Sequence, residues 1–126
     1  MLFRSSVGLS GEWALAALPG ERTSIEAGKQ PPTLVIDSTG KKISGSTGCN
    51  QFFGTVTTGT ENALKLDPSG MTLMACPDAA TALENAFIKA LRGTGSYRIR
   101  GATLELLAGD RVLARFERRR AATPSD

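Results

Sequence analysis

The residues of this 126-residue chain that carry soft-ligand or redox chemistry are two cysteines and three methionines. Cys49 sits in Gly45-Ser46-Thr47-Gly48-Cys49-Asn50-Gln51-Phe52-Phe53-Gly54, where glycines bend the chain just where two phenylalanines make it apolar. Cys76 sits in Met71-Thr72-Leu73-Met74-Ala75-Cys76-Pro77, and the two segments are read as neighbours in the folded chain. There is no histidine. Ser–His–Asp and Cys–His nucleophilic sites, His-containing zinc sites and a histidine pH switch are therefore excluded. Two thiols alone cannot close a structural zinc site. The aspartates and glutamates are scattered, and no spacing marks an acid–base pair. Neither a phosphate-cradling G-x-x-x-x-G-K-[ST] nor a G-x-G-x-x-G between strand and helix is present. An anion held by the N–H groups of the Gly45–Gly54 bend is physically allowed, although that loop holds no basic residue. Met71 and Met74 are read as gap-fillers of the core rather than copper ligands.

The elements that must position these segments are short strands. Glu12-Trp13-Ala14-Leu15-Ala16-Ala17-Leu18 places Trp13 and Leu15 on one face at period two and stops at Pro19-Gly20. Residues 21–32 are polar and form a connection. Strands follow at Thr33–Asp37, Lys42–Ser46, through Phe52 to Thr57, and at Ala63–Leu66. The glycines Gly45, Gly48 and Gly54 mark bulges, sharp bends or close backbone approach in a strongly coiled sheet. Alternation sets Asn50 and Phe52 on one face, with Cys49, Gln51 and Phe53 on the other. The spacing of Ala80, Leu83, Phe87, Ile88 and Leu91 predicts a helix over about 77–92, opened by Pro77 and Asp78 and stopped by a left-handed Gly93. Glu84, Asn85 and Lys89 fall on its polar side. Ser96–Arg100, Thr103–Leu107 and Val112–Glu117 alternate as three further strands. The sum is an α+β, mainly β domain: a small antiparallel, barrel-like, strongly curved sheet of about seven or eight short strands with one helix packed on it. Trp13, Phe52, Phe53, Phe87 and Phe116 are expected to fill its interior.

The length fits one domain. Three parts are expected: an N-terminal extension at 1–8, the domain at 9–117, and a disordered basic tail at 118–126 around Arg118-Arg119-Arg120. The net charge of +3 does not call for nucleic acid. No apolar run reaches the roughly 18 residues of a membrane span, and residues 1–6 have no signal-peptide core. Either the chain is cytoplasmic or a secretion signal has been removed.

Gly48-Cys49-Asn50-Gln51-Phe52-Phe53-Gly54 with Met71-x-x-Met74-Ala75-Cys76-Pro77 resembles the META-domain family of heat-inducible, HslJ-like proteins. Leu9-Ser10-Gly11-Glu12-Trp13-Ala14-Leu15 is similar to that family's opening L-x-G-x-W-x-L, and Leu104-Glu105-Leu106 with Arg115-Phe116 to its closing hairpin. The resemblance covers about residues 9–117 and marks Gly45, Gly48, Asn50, Gly54, Met71 and Met74 as motif positions. It implies a stress-related domain of the bacterial envelope or periplasm, often behind a lipoprotein signal, for which no catalytic activity is established. This chain departs from the lipoprotein pattern in lacking a signal and an anchoring cysteine.

Cys49 and Cys76 then have three readings: a disulfide, which suits an envelope protein; two buried free thiols; or a reactive thiol at Cys76, near the start of the helix. The functional expectation is a non-enzymatic, cofactor-free structural or interaction module, monomeric, with Arg98, Arg100 and Arg115 as a candidate surface for an envelope partner. The alternatives are a small-ligand carrier and a redox-responsive thiol protein acting through Cys76. An empty apolar hollow favours the carrier and a filled interior the interaction module.

Overall fold

A computed structural model describes residues 8–22, 24–28 and 30–121, the last two by backbone alone. The strands are β1 (Gly11–Ala17), β2 (Thr33–Ile36), β3 (Lys42–Ser46), β4 (Gln51–Thr58), β5 (Leu64–Met71), β6 (Ser96–Arg100), β7 (Thr103–Ala108) and β8 (Arg111–Ala121). Helix α1 (Asp78–Gly93) lies between β5 and β6. All eight strands join one antiparallel sheet in the order β5-β4-β3-β2-β1-β8-β7-β6. Every neighbour in that order is a sequence neighbour except β1 and β8, which join the five-stranded β1–β5 part to the three-stranded β6–β8 part. The edges β5 and β6, separated in sequence by α1, meet only at the Ala63–Ser96 bridge and a 3.0 Å hydrogen bond from the Leu64 N–H to the Gly95 carbonyl. The sheet is curved almost into a barrel and is not closed.

Alternation along the strands decides which side chains enter. Trp13 and Leu15 of β1, Leu34 and Ile36 of β2, Leu64 and Leu66 of β5, and Leu104 and Leu106 of β7 are all buried. The apolar stripe of α1 packs on β5, β7 and β8. Its Phe87 meets Phe52 of β4 and Phe116 of β8 edge to face, with ring centroids 5.8 and 6.1 Å apart. The core is built of buried side chains, and five hollows among the described residues open to the surface.

Several expectations are corrected. β5 continues past Leu66 to Met71 through Pro68 and Gly70. Proline is tolerated in an edge strand because its missing N–H leaves no ladder bond unmade, and the Pro68 carbonyl accepts a 2.9 Å hydrogen bond from the Arg92 guanidinium. β8 likewise runs past Glu117, so the arginine run pairs with β1 instead of fraying. The Arg118 guanidinium lies 4.1 Å from the centroid of the Trp13 ring and donates to the carbonyls of Ser10 and Gly8. Burial pulls its pKa down from the usual value, and the ring face and carbonyls answer that loss of water. Gly93 does not stop α1 in a left-handed turn. Thr94 does so in extended conformation, its hydroxyl donating to the Ala90 carbonyl at 2.9 Å. Phe53 is 60% exposed rather than part of the interior. Residues 1–7 and 122–126, which hold most of the expected extension and the end of the expected tail, lie outside the described residues.

Candidate functional site

The two cysteine segments meet at one end of α1. β3 ends at Ser46, and the chain turns through Thr47–Asn50 into β4, with Gly48 at a φ of +91° that a side chain rarely adopts. After β5 the chain runs from Thr72 to Pro77 without regular secondary structure and enters α1. Cys49 and Cys76 are joined there in a disulfide, with Cα atoms 6.1 Å apart and a sequence separation of 27. Of the three cysteine readings, the structure realises the bonded pair.

Asn50 holds the junction beneath the sulfurs. Its side-chain oxygen accepts from the Thr72 hydroxyl at 2.9 Å and from the Met74 N–H at 2.6 Å. Its amide donates to Glu84 Oε2 at 2.8 Å and to Cys49 Sγ at 3.3 Å. A backbone N–H can only face the carbonyl oxygen, so the Met74 contact fixes which way the amide points. Thr47 completes the cluster: its hydroxyl donates to Glu84 Oε2 at 2.7 Å and accepts from the Asn50 and Cys49 N–H groups at 2.8 and 3.1 Å. Thr47, Asn50 and Glu84 are all buried. One carboxylate oxygen thus anchors the bend, while Asn50 anchors the run into α1.

Sequence reasoning assigned Glu84 to the polar face of the helix, and the structure buries it. The signal was its place in the row Ala80, Glu84, Phe87, Leu91, at spacings of four, three and four, among residues that are otherwise apolar. Thr47 and Thr72 were not singled out, and nothing in their local spacing marks them. Their roles come from contacts across 37 and 22 residues.

The remaining motif residues have structural places. A Cβ on Gly45 would collide with the Thr33 carbonyl, and one on Gly54 with the Asp67 carbonyl across a β-bulge. Met71 is partly buried against the core, as expected of a gap-filler. Met74 is not: it is 62% exposed, next to Leu73 at 89%. With Phe53 these are the large exposed apolar side chains of the described residues. Among the described residues no cluster of His, Cys, Asp or Glu forms a metal site.

The three arginines lie on the outer face of the β6–β8 end and do not form a free basic patch. Glu105 sits between two of them: Arg98 reaches its Oε1 at 2.5 Å and Arg115 its Oε2 at 3.1 Å. The Arg98 hydrogen bond first, and then Arg115, hold the Glu105 carboxyl below its usual range against the opposing effect of burial. Arg100 is exposed at the end of β6.

A family model described as the META domain matches residues 7–120. Among solved structures, an NMR structure of a protein from Burkholderia xenovorans is 26% identical, with a TM-score of 0.64 over 91% of this chain and 87% of that one. A crystal structure of a duf4847 family protein from Bacteroides vulgatus is 15% identical, with a TM-score of 0.63 over 97% and 99% of the two chains, a likeness of fold alone. No curated protein matches. No helix among the described residues is long and apolar enough to cross a membrane.

Proposed function

The chain belongs to the META-domain family, and from that premise we propose that it is a non-enzymatic interaction module of the bacterial envelope, serving a stress-related role. The observation that carries this reading is the exposure of Leu73 and Met74 on a segment tied down by the Cys49–Cys76 disulfide and by Asn50. Apolar side chains facing water on a tethered loop are suited to docking, because little ordering entropy remains to be lost on binding. The filled interior supports the module over a small-ligand carrier. A disulfide supports an oxidising compartment. The buried Glu84 carboxylate holds Thr47 and Asn50 together through its Oε2, which supports a structural role for it.

Crosslinking in cells tests the reading, comparing the wild-type chain with a Leu73→Ser, Met74→Ser double variant. Exposed substitutions of this kind leave stability within about 0.5 kcal/mol, so the variant stays folded. Discrete crosslinked products that vanish in the variant are expected. Identical products from both chains would refute the surface.

A further inference from the structure

We infer that the Cys49–Cys76 disulfide is a thiol-exchange site of the native fold, attacked at Cys76 by the thiolate of an external dithiol, with Cys49 as the leaving group. This goes beyond the docking surface proposed above, whose segment the same disulfide tethers. Both cysteines are only partly buried. They line an open depression of about 370 Å³ whose walls include Gly28, Gly48, Ala75 and Pro77. Small residues around the sulfurs leave room for an incoming thiol without unfolding.

The direction of exchange follows from what surrounds each sulfur. The Asn50 amide points one of its hydrogens at Cys49 Sγ from 3.3 Å, and its other three hydrogen-bonding positions are fixed by Glu84, Thr72 and Met74. A thiolate formed at Cys49 therefore meets a donor already aimed at it, and stabilising the departing thiolate speeds its departure. Cys76 stands before the N-terminus of α1, which favours negative charge. Its nearest neighbours there weaken that effect: Pro77 has no N–H to donate, and Asp78 brings a carboxylate of like charge into the first turn. The Met74 carbonyl oxygen lies 3.7 Å from Cys49 Sγ and 3.9 Å from Cys76 Sγ, so it does not discriminate.

The steps balance. The first thiolate of the dithiol bonds to Cys76 Sγ, the Sγ–Sγ bond breaks, and its electron pair leaves with Cys49. The second thiol of the dithiol then loses its proton and attacks its partner sulfur in the mixed disulfide, releasing Cys76 as a thiolate. The dithiol is oxidised by two electrons to a disulfide, and the cysteine pair is reduced by two electrons.

The native, oxidised full-length chain is treated briefly with reduced glutathione, a monothiol that has no second thiol of its own to resolve the mixed disulfide, and sampled before further exchange. The reaction is quenched in acid, free thiols are blocked with N-ethylmaleimide, and the adducts are mapped by peptide mass spectrometry. Glutathione on Cys76 with maleimide on Cys49 is expected in several-fold excess over the reverse arrangement. Glutathione mainly on Cys49, or shared equally, overturns the assignment. A second measurement follows reduction by dithiothreitol in urea below the unfolding transition. A rate insensitive to urea is expected, and a rate that climbs in step with the globally unfolded population overturns the native-state route.

Discussion

Asn50 uses both amide hydrogens and accepts two hydrogen bonds at its carbonyl oxygen, joining β4, the β5–α1 segment, α1 and the disulfide through one side chain. Its importance was legible as part of a motif, but its chemistry was not, because three of its partners lie 22 to 34 residues away. The cysteines were legible as a candidate pair, with the choice among three states left to the distance between them. The arginines were legible as outward-facing, but the carboxylate that engages two of them was not, although it alternates outward on the strand between them. That carboxylate gives a pH prediction. The folded-state pKa of Glu105 lies below the ordinary value of 4.5, so its contribution to stability is complete above that value and is lost as pH falls through the folded-state pKa. Both arginine side chains are about two-fifths exposed, at 43% and 40%, so solvent screens the pair and the effect is modest. In urea unfolding, the stability gap between wild type and Glu105→Gln is expected to be widest near neutral pH and to narrow in acid. A gap that holds constant through the acid range would exclude Glu105 as the titrating group.

At the scale of elements, the strands and α1 were readable because alternation and three–four spacing report burial directly. The failures fall where something other than apolar burial holds the backbone. β8 runs through an arginine run that has no apolar periodicity, and what its Arg118 supplies is a cation over the Trp13 ring together with hydrogen bonds to the Ser10 and Gly8 carbonyls. β5 passes through Pro68, Ser69 and Gly70, residues that ordinarily signal a loop, because an edge strand needs ladder bonds on one side only. Gly70 lies beneath the outward-facing Phe53 ring, which covers the place a side chain would take. Gly54 tests the account. The atoms a Cβ would strike there all belong to the backbone of Asp67 and Pro68, so no rotamer change makes room. Gly54→Ala is expected to cost about 1–3 kcal/mol, the usual range for overpacking, read from the midpoint of chemical unfolding. An unchanged midpoint would mean that the β4–β5 bulge is more pliable than this register implies.

For the whole molecule, the curved sheet supplies a core and the disulfide supplies a long-range tie. Because Asn50, Thr72 and Met74 hold the segments together without the sulfurs, removing the bond leaves the native arrangement standing and frees the unfolded chain. For a separation of 27 residues the chain-entropy relation gives about 3–4 kcal/mol. The Cys49→Ser, Cys76→Ser double variant is expected to lose that much in urea titration with its native circular dichroism kept. A loss under about 1 kcal/mol would point to an unfolded chain that stays compact without the bond. The overall curvature was legible in the glycine-rich strands. Where the sheet stays open was not, since that depends on α1 occupying the link between the two edges.

The pairing of Gly11 with Ala121 brings the beginning and end of the described fold to one spot on the surface. A body entered and left at the same point can sit as a lobe within a loop of some larger host without prising that loop apart. The same geometry tolerates circular permutation: linking those ends and cutting the exposed Gly109-Asp110 turn would renumber the strands and keep every partner.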